Sequence, residues 1–350
     1  MTESATPLAR AVRVLADGGT LDEELTADAF RQVMRGEGSP ALVAALLIGL
    51  RVRGEGPAEI AGAVRALREA MVTVPVADRR NLVDTCGTGG GTVRTFNVST
   101  AAALVAAGAG ALVAKHGNRS FTSRCGSADV LEALGVTIGL DATGAAELLS
   151  RARMAFLFAP VFHPAMRHVG PVRRELGVPT IMNIVGPLAN PAGVSRQLIG
   201  VADADVAPLV AGALGRLGAD HALVVHARSG MDEIAPAGET LAWEIRGSDV
   251  RSFTIDPTAF GLGFDNLSAL AGDEPAANAE RIERLLAEPD RDPGGHAVVA
   301  LNAGAACYLA GLTDRIEEGV ALALEALERR AGADILERLR TESAALSTSG

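Results

Sequence analysis

From residue 80 onward the chain sets short apolar runs between helical stretches, and that rhythm limits it to few folds. The runs are "NLVDT", "ALVAKHG", "VTIGL", "MAFLFA", "TIMNIVG", "QLIGVA" and "HALVVHA", each bounded by turn residues. Read as strands with helices between most of them, they predict a mainly parallel sheet covered on both faces. The first 75 residues carry no such runs and read as helices only. Leu8, Val12 and Leu15 share one helical face that Gly18-Gly19 ends. Thr26 is the expected cap of a second helix bearing Phe30, Val33 and Met34. Ser39-Pro40 caps and opens a third that ends near Gly54, and Pro57 opens a fourth with Ile60, Val64, Leu67 and Met71 inward. The expected organisation is a helical domain over 1–75, rejoined by about 165–185, and an α/β domain over 76–350.

Composition narrows the function classes. The 350 residues are 48% hydrophobic, enough for a large core and more than one domain. A net charge of −10 disfavours a general binder of nucleic acid or anionic membrane. Cys86, Cys125 and Cys307 lie far apart without C-x-x-C spacing, so zinc is not expected and a reducing, cytoplasmic setting is. No signal peptide or membrane-length apolar segment is visible.

Four clusters bear chemistry. "DTCGTGGGTVRTFNVST" puts four glycines into Gly87 to Gly91, between a strand and a helix. Neither a Walker A nor a Rossmann fingerprint fits it. Alone, it suits a tight turn as well as a cradle of N–H groups for an anion. Asn97, Ser99 and Thr100 follow at the expected helix start, as caps or as ligands for phosphate or metal. "AKHGNRS" ends a strand, with Lys115, His116, Asn118 and Arg119 suited to a polyanion or simply to solvent. Ser123 and Ser127 precede the next helix, as phosphate contacts or caps. "GMDEIA" places Asp232 and Glu233 in a strand-end loop, a candidate Mg²⁺ site among many ordinary acidic pairs. His163, Arg167, His168, Arg173 and Arg174 sit on helical segments before a Pro/Gly-rich turn.

Together these blocks resemble the anthranilate phosphoribosyltransferases along nearly the whole chain. "GTGGGTVRTFNVST", "KHGNR" at 115–119, the Val172–Pro191 stretch ending "GPLANP", the Asp232-Glu233 pair and "LNAGAACYLAG" match that family's pattern. The resemblance implies transfer of phosphoribose from phosphoribosyl pyrophosphate to the amine of anthranilate, a step of tryptophan biosynthesis that releases pyrophosphate. It implies the nucleoside phosphorylase/phosphoribosyltransferase-like fold, a homodimer joined through the helical domain, and two Mg²⁺ ions per site. By the same resemblance Asp84, Gly87, Thr88, Gly89, Gly90, Thr95, Asn97, Ser99, Thr100, Lys115 and Ser127 would bind phosphoribosyl pyrophosphate. Gly87, His116, Asn118, His163 and Arg173 would meet anthranilate, and Ser99, Asp232 and Glu233 would hold the metal. No general base is assigned.

The family usually has Asp, often followed by Gly, where this chain has Gly91 and Thr92, and Asn at the place of Arg94. Two alternatives stand beside the main reading. A pyrimidine nucleoside phosphorylase would share the fold but continue its phosphate loop K-H-S-T-G-G rather than "KHGNR". A non-catalytic relative that binds nucleic acid is disfavoured by the charge and by the intact carboxylate pair.

Overall fold

The computed structural model describes residues 6–120 and 124–347. Four helices come first: α1 (Pro7–Ala16), α2 (Glu23–Met34), α3 (Pro40–Arg53) and α4 (Pro57–Ala70). Prolines open α1, α3 and α4, where a missing N–H costs nothing. The α2 cap is Asp22 rather than Thr26: its carboxylate accepts from Leu25 N at 2.7 Å. Thr26 lies inside the helix, and its hydroxyl donates to Asp22 O at 2.7 Å.

The chain then enters β1 (Leu82–Gly87), α5 (Val98–Gly108), β2 (Leu112–Gly117), α6 (Ser127–Ala133), α7 (Ala142–Ala152) and β3 (Met154–Phe158). Short helices α8 (Ala159–Phe162), α9 (Gly170–Leu176) and α10 (Ile181–Val185) lead to β4 (Arg196–Gly200), α11 (Ala207–Arg216) and β5 (His221–Ala227). After β6 (Thr240–Arg246) and β7 (Asp249–Ile255) come α12 (Pro275–Ala287), α13 (Pro293–Leu309), α14 (Ile316–Glu328) and α15 (Ala331–Ser347). The seven strands form one sheet in the order β3-β2-β1-β4-β5-β6-β7. The first five strands are parallel, and β6 and β7 are antiparallel.

Two of the expected strands are not strands. "VTIGL" is an irregular segment, although Val136, Ile138 and Leu140 are buried in the core. "TIMNIVG" holds α10, because Thr180 caps it and Asn183 returns the bond to the Thr180 N–H at 3.2 Å. Conversely, β6 and β7 were not foreseen. The signal was present: Gly247-Ser248 joins paired Arg246 and Asp249, with Gly247 at φ +59°.

Apolar residues on the two faces of the sheet serve two cores. One contains α5, α13 and the α14–α15 pair. The other joins α1–α4 to α11 and takes in Ala165, Val169, Val172, Ile181 and Leu188, so the 164–189 segment packs with the N-terminal helices. Arg68 of α4 ties this segment down by donating to Leu188 O at 2.7 Å. The connection order reverses between β1 and β4, where open parallel sheets place ligands at the carboxyl ends of the strands.

Candidate functional site

The glycine loop leaves β1 at this reversal. Gly89 and Gly90 take φ of +67° and +89°, a region that side-chain-bearing residues rarely adopt. Gly87 has another constraint, since a Cβ there would stand 3.2 Å from Asp232 Oδ2 and from Gly200 O. Thr88 N donates to Gly200 O at 2.9 Å, which sets the loop across the end of β4. Gly91 has no positive φ. A Cβ at 91 would instead meet Asp232 Oδ1 at 2.9 Å and Gly230 O at 3.1 Å. The loop and the carboxylate turn are therefore in near contact.

Among the described residues neither carboxylate of that turn has an ion-pair partner, and only the charge of Lys115 favours ionised Glu233 from a distance. Thr95 donates to Glu233 Oε1 at 3.0 Å, while Glu233 Oε2 is buried with no partner. Desolvation pushes Glu233 well above the usual carboxylate range, and neighbouring Asp232 adds to the shift. Asp232 is also raised by burial, partly offset by backbone N–H donors including Gly89. Both residues are half-buried, and Glu233 Oε2 lies wholly out of solvent. A small cavity brings them together with Thr85, Cys86, Ser99 and Asn302. Among the described residues no cluster of three or more His, Cys, Asp or Glu could hold a metal ion. A cation here would need further ligands from its substrate.

Lys115, in β2, is almost wholly buried and donates to Thr85 O and to Ser99 Oγ, the latter at 3.2 Å. Burial lowers its pKa, and the Asp84 charge partly opposes this. Asp84, for which the sequence allows a substrate contact or a brace, is placed as a brace. It has no exposed surface, and it accepts from His116 N at 3.1 Å, Asn190 Nδ2 at 2.9 Å and Gln197 Nε2 at 3.5 Å. Its job is to brace β1 against β2 and the "GPLANP" turn. Thr100 is equally remote, with no exposure and an unpartnered hydroxyl.

Asn97, ahead of α5, donates to Cys125 O at 3.2 Å and accepts from Asn278 of α12 at 3.0 Å. Ser127 opens α6, and its hydroxyl bonds Asn118 O at 3.4 Å. Arg119, grouped above with possible anion contacts, is committed elsewhere: it pairs with Asp129 at 2.9 Å and with Glu132, over the Phe158 ring. Ser123 lies outside the described residues.

Beside the loop lies a cavity of about 600 Å³ between the sheet and the helical segments. Gly87, Thr88, His116 and Asn118 form its sheet side, and His163, Met182 and Arg173 stand among its helical walls. Arg173 is partly buried, and burial pulls its pKa down without any carboxylate to restore it. His116 and His163 face each other with their Nε2 atoms 3.2 Å apart. Desolvation, aided by His163 and Lys115, lowers His116 to about 3, and burial lowers His163 to about 4. Both imidazoles are neutral at pH 7 and supply one donor and one acceptor each. Sequence reading missed Cys86, Met182, Asn183 and Pro187 on these walls. It also missed Asn190, Gln197, Asn278 and Asn302 behind them.

A bundle of helices set against an α/β domain, with a glycine-rich loop at the strand reversal, defines a class of transferase. The description "Glycosyl transferase family, helical bundle domain" matches residues 9–71, and "Glycosyl transferase family, a/b domain" matches 79–332. The chain is 50% identical to the anthranilate phosphoribosyltransferase of Laribacter hongkongensis, over 91% of this chain and 92% of that one. With the enzyme of Rubrobacter xylanophilus it shares 47% over 98% and 99% of the two chains. The crystal structure of anthranilate phosphoribosyltransferase from Thermus thermophilus superposes with a TM-score of 0.90 at 44% identity, covering 95% of this chain and 99% of that one. A Saccharomyces cerevisiae anthranilate phosphoribosyltransferase in complex with PRPP and Mg superposes at 0.86 with 27% identity, over 97% and 98% of the chains. The chain belongs to the anthranilate phosphoribosyltransferase family. The nucleoside phosphorylase and nucleic-acid-binding alternatives gain no support from these matches.

Proposed function

We propose that this chain transfers the phosphoribosyl group from phosphoribosyl pyrophosphate to the amine of anthranilate, releasing pyrophosphate. One observation carries the reading: a carboxylate pair without an ion-pair partner and an arginine without a carboxylate flank the same strand-end crevice, on cavities that share Cys86. The first suits a cation shared with a polyphosphate, and the second suits a carboxylate.

In this reading the bare backbone of the Gly87–Gly90 turn faces the pyrophosphate, its Thr88 N–H being already held by Gly200 O, and Lys115, Asn97 and Ser127 hold the rest of the donor. Arg173 takes the anthranilate carboxylate while Asn118 orients its ring amine toward the donor carbon. The paired neutral imidazoles of His116 and His163 wall the acceptor without adding charge. An aryl amine is already neutral at pH 7, so these residues chiefly position and exclude water. The orphaned Glu233 Oε2 and the raised pKa of both carboxylates fit a divalent cation held by Asp232, Glu233 and Ser99. Bound there, Mg²⁺, as two ions in our reading, supplies charge neutralisation for the leaving pyrophosphate.

The same reading carries a domain border near residue 75, with 165–185 assigned to the helical part. It also carries a homodimer through that part, where Val52 on α3 is 81% exposed. No helix among the described residues is long and apolar enough to cross a membrane, and the reading places the chain in the cytoplasm. The test is direct: purified protein with Mg²⁺ and phosphoribosyl pyrophosphate should consume anthranilate, read as loss of its fluorescence. No turnover at millimolar substrate, with phosphorolysis of thymidine or uridine instead, would sink the reading.

Gly91 offers a finer prediction. Asn or Asp at 91 would crowd Asp232 and Gly230 alike, but Asp adds a like charge beside Asp232 and the polyphosphate. At ~5 Å and an effective dielectric of ~20 each such repulsion is on the order of 3 kcal/mol before screening. Gly91→Asp should therefore raise KM for phosphoribosyl pyrophosphate more than Gly91→Asn at sub-millimolar Mg²⁺, the two converging at several millimolar. Identical curves for both variants at every Mg²⁺ concentration would leave crowding as the whole effect.

A further inference from the structure

We propose that Asn302 is a positioning residue for the cation site, holding the Asp232–Glu233 turn in place through the backbone of Ile234. The proposal rests on the reading that these carboxylates hold Mg²⁺. Asn302 lies in the interior of α13 at 2% exposure, an unfavourable place for an asparagine on helix propensity. Its amide is fully used. Oδ1 accepts from Ile234 N at 3.0 Å, and Nδ2 donates to Ile234 O at 2.9 Å and to Val298 O at 2.8 Å. The side chain thus acts as a strand partner for the residue that follows Glu233.

Other contacts grip the turn from the loop side. Thr92 N donates to Gly230 O at 3.0 Å, and Gly200 lies so close that a Cβ there would fall 1.6 Å from Asp232 O. Asn302 also lines the small cavity with Ser99, Asp232 and Glu233. With Glu233 Oε2 unpartnered, the backbone that Asn302 anchors has a large share in deciding where the carboxylates stand. Partners that orient metal ligands in this way commonly govern affinity for the ion.

Two variants test this. Asn302→Leu removes all three hydrogen bonds at similar volume, whereas Asn302→Asp keeps the acceptor and loses both donations. The Mg²⁺ concentration for half-maximal turnover should rise on the order of tenfold in the Asp variant and up to about a hundredfold in the Leu variant. KM for anthranilate should stay at the wild-type value. The rise in Tm produced by phosphoribosyl pyrophosphate with Mg²⁺ should shrink, while the rise produced by anthranilate alone persists. If the Leu variant does not fold, the Asp variant decides. A wild-type Mg²⁺ midpoint and a wild-type Tm response in the folded variants would overturn the proposal and make Asn302 a packing residue, however much kcat or stability had fallen. A wild-type enzyme that turns over without any divalent cation would instead overturn the metal reading beneath it.

Discussion

Replacing Asp232 by Asn and Glu233 by Gln together should abolish Mg²⁺-dependent turnover while leaving the protein folded. Neutral amides keep the shape of the turn but are poor ligands for a hard cation. Stability should move the other way. Burial raises the pKa of both carboxylates, so without metal the folded state binds more protons than the unfolded chain above the ordinary carboxylate range. Wild-type stability then falls as pH rises through the window between the ordinary and the raised values. The double variant removes that loss, and its metal-free Tm at pH 7 should exceed that of the wild type. Steady-state assays across Mg²⁺ concentrations and thermal melts in chelator measure both effects. Full activity with an unchanged Mg²⁺ dependence would reduce the pair to surface charge.

Arg173→Ala should raise KM for anthranilate by roughly ten- to a hundredfold, with a much smaller change for phosphoribosyl pyrophosphate. A charge-assisted hydrogen bond to a carboxylate contributes about 1.5–3 kcal/mol, which corresponds to that range. The guanidinium is partly buried without a carboxylate partner and lines the cavity. Its removal therefore takes away a contact with ligand and no ion pair within the fold. Initial rates with each substrate varied in turn decide the matter. Equal losses for both substrates, with folding intact, would make the residue structural.

Much of the site could be read directly from short stretches of sequence. Glycines at 89 and 90 announce a backbone that few other residues tolerate, and both take positive φ. Asp232 and Glu233 are adjacent in the chain, so any loop presents them together. For Arg119 the sequence leaves anion and solvent both open, because its partners, Asp129 and Glu132, reach it only once α6 is folded against the "KHGNR" turn. Asp84 looked like a ligand for substrate at the end of a strand. One of its oxygens is taken by Asn190 and Gln197, which lie more than a hundred residues away, and the other by His116 N.

Helix caps, turn glycines and apolar period depend on near neighbours, and those the chain determined by itself: the all-helical start, the five parallel strands, the glycine turn at Gly87–Gly90. The tertiary structure decided which polar groups would be free. The Asn302 amide became the anchor of a turn 68 residues upstream. A buried donor or acceptor must be paired wherever the fold brings a partner, and sequence spacing carries no record of contacts made at that distance. That pairing leaves Glu233 Oε2 without a partner in one cavity and Arg173 without a carboxylate on the wall of the other, and both are open to a substrate's charge.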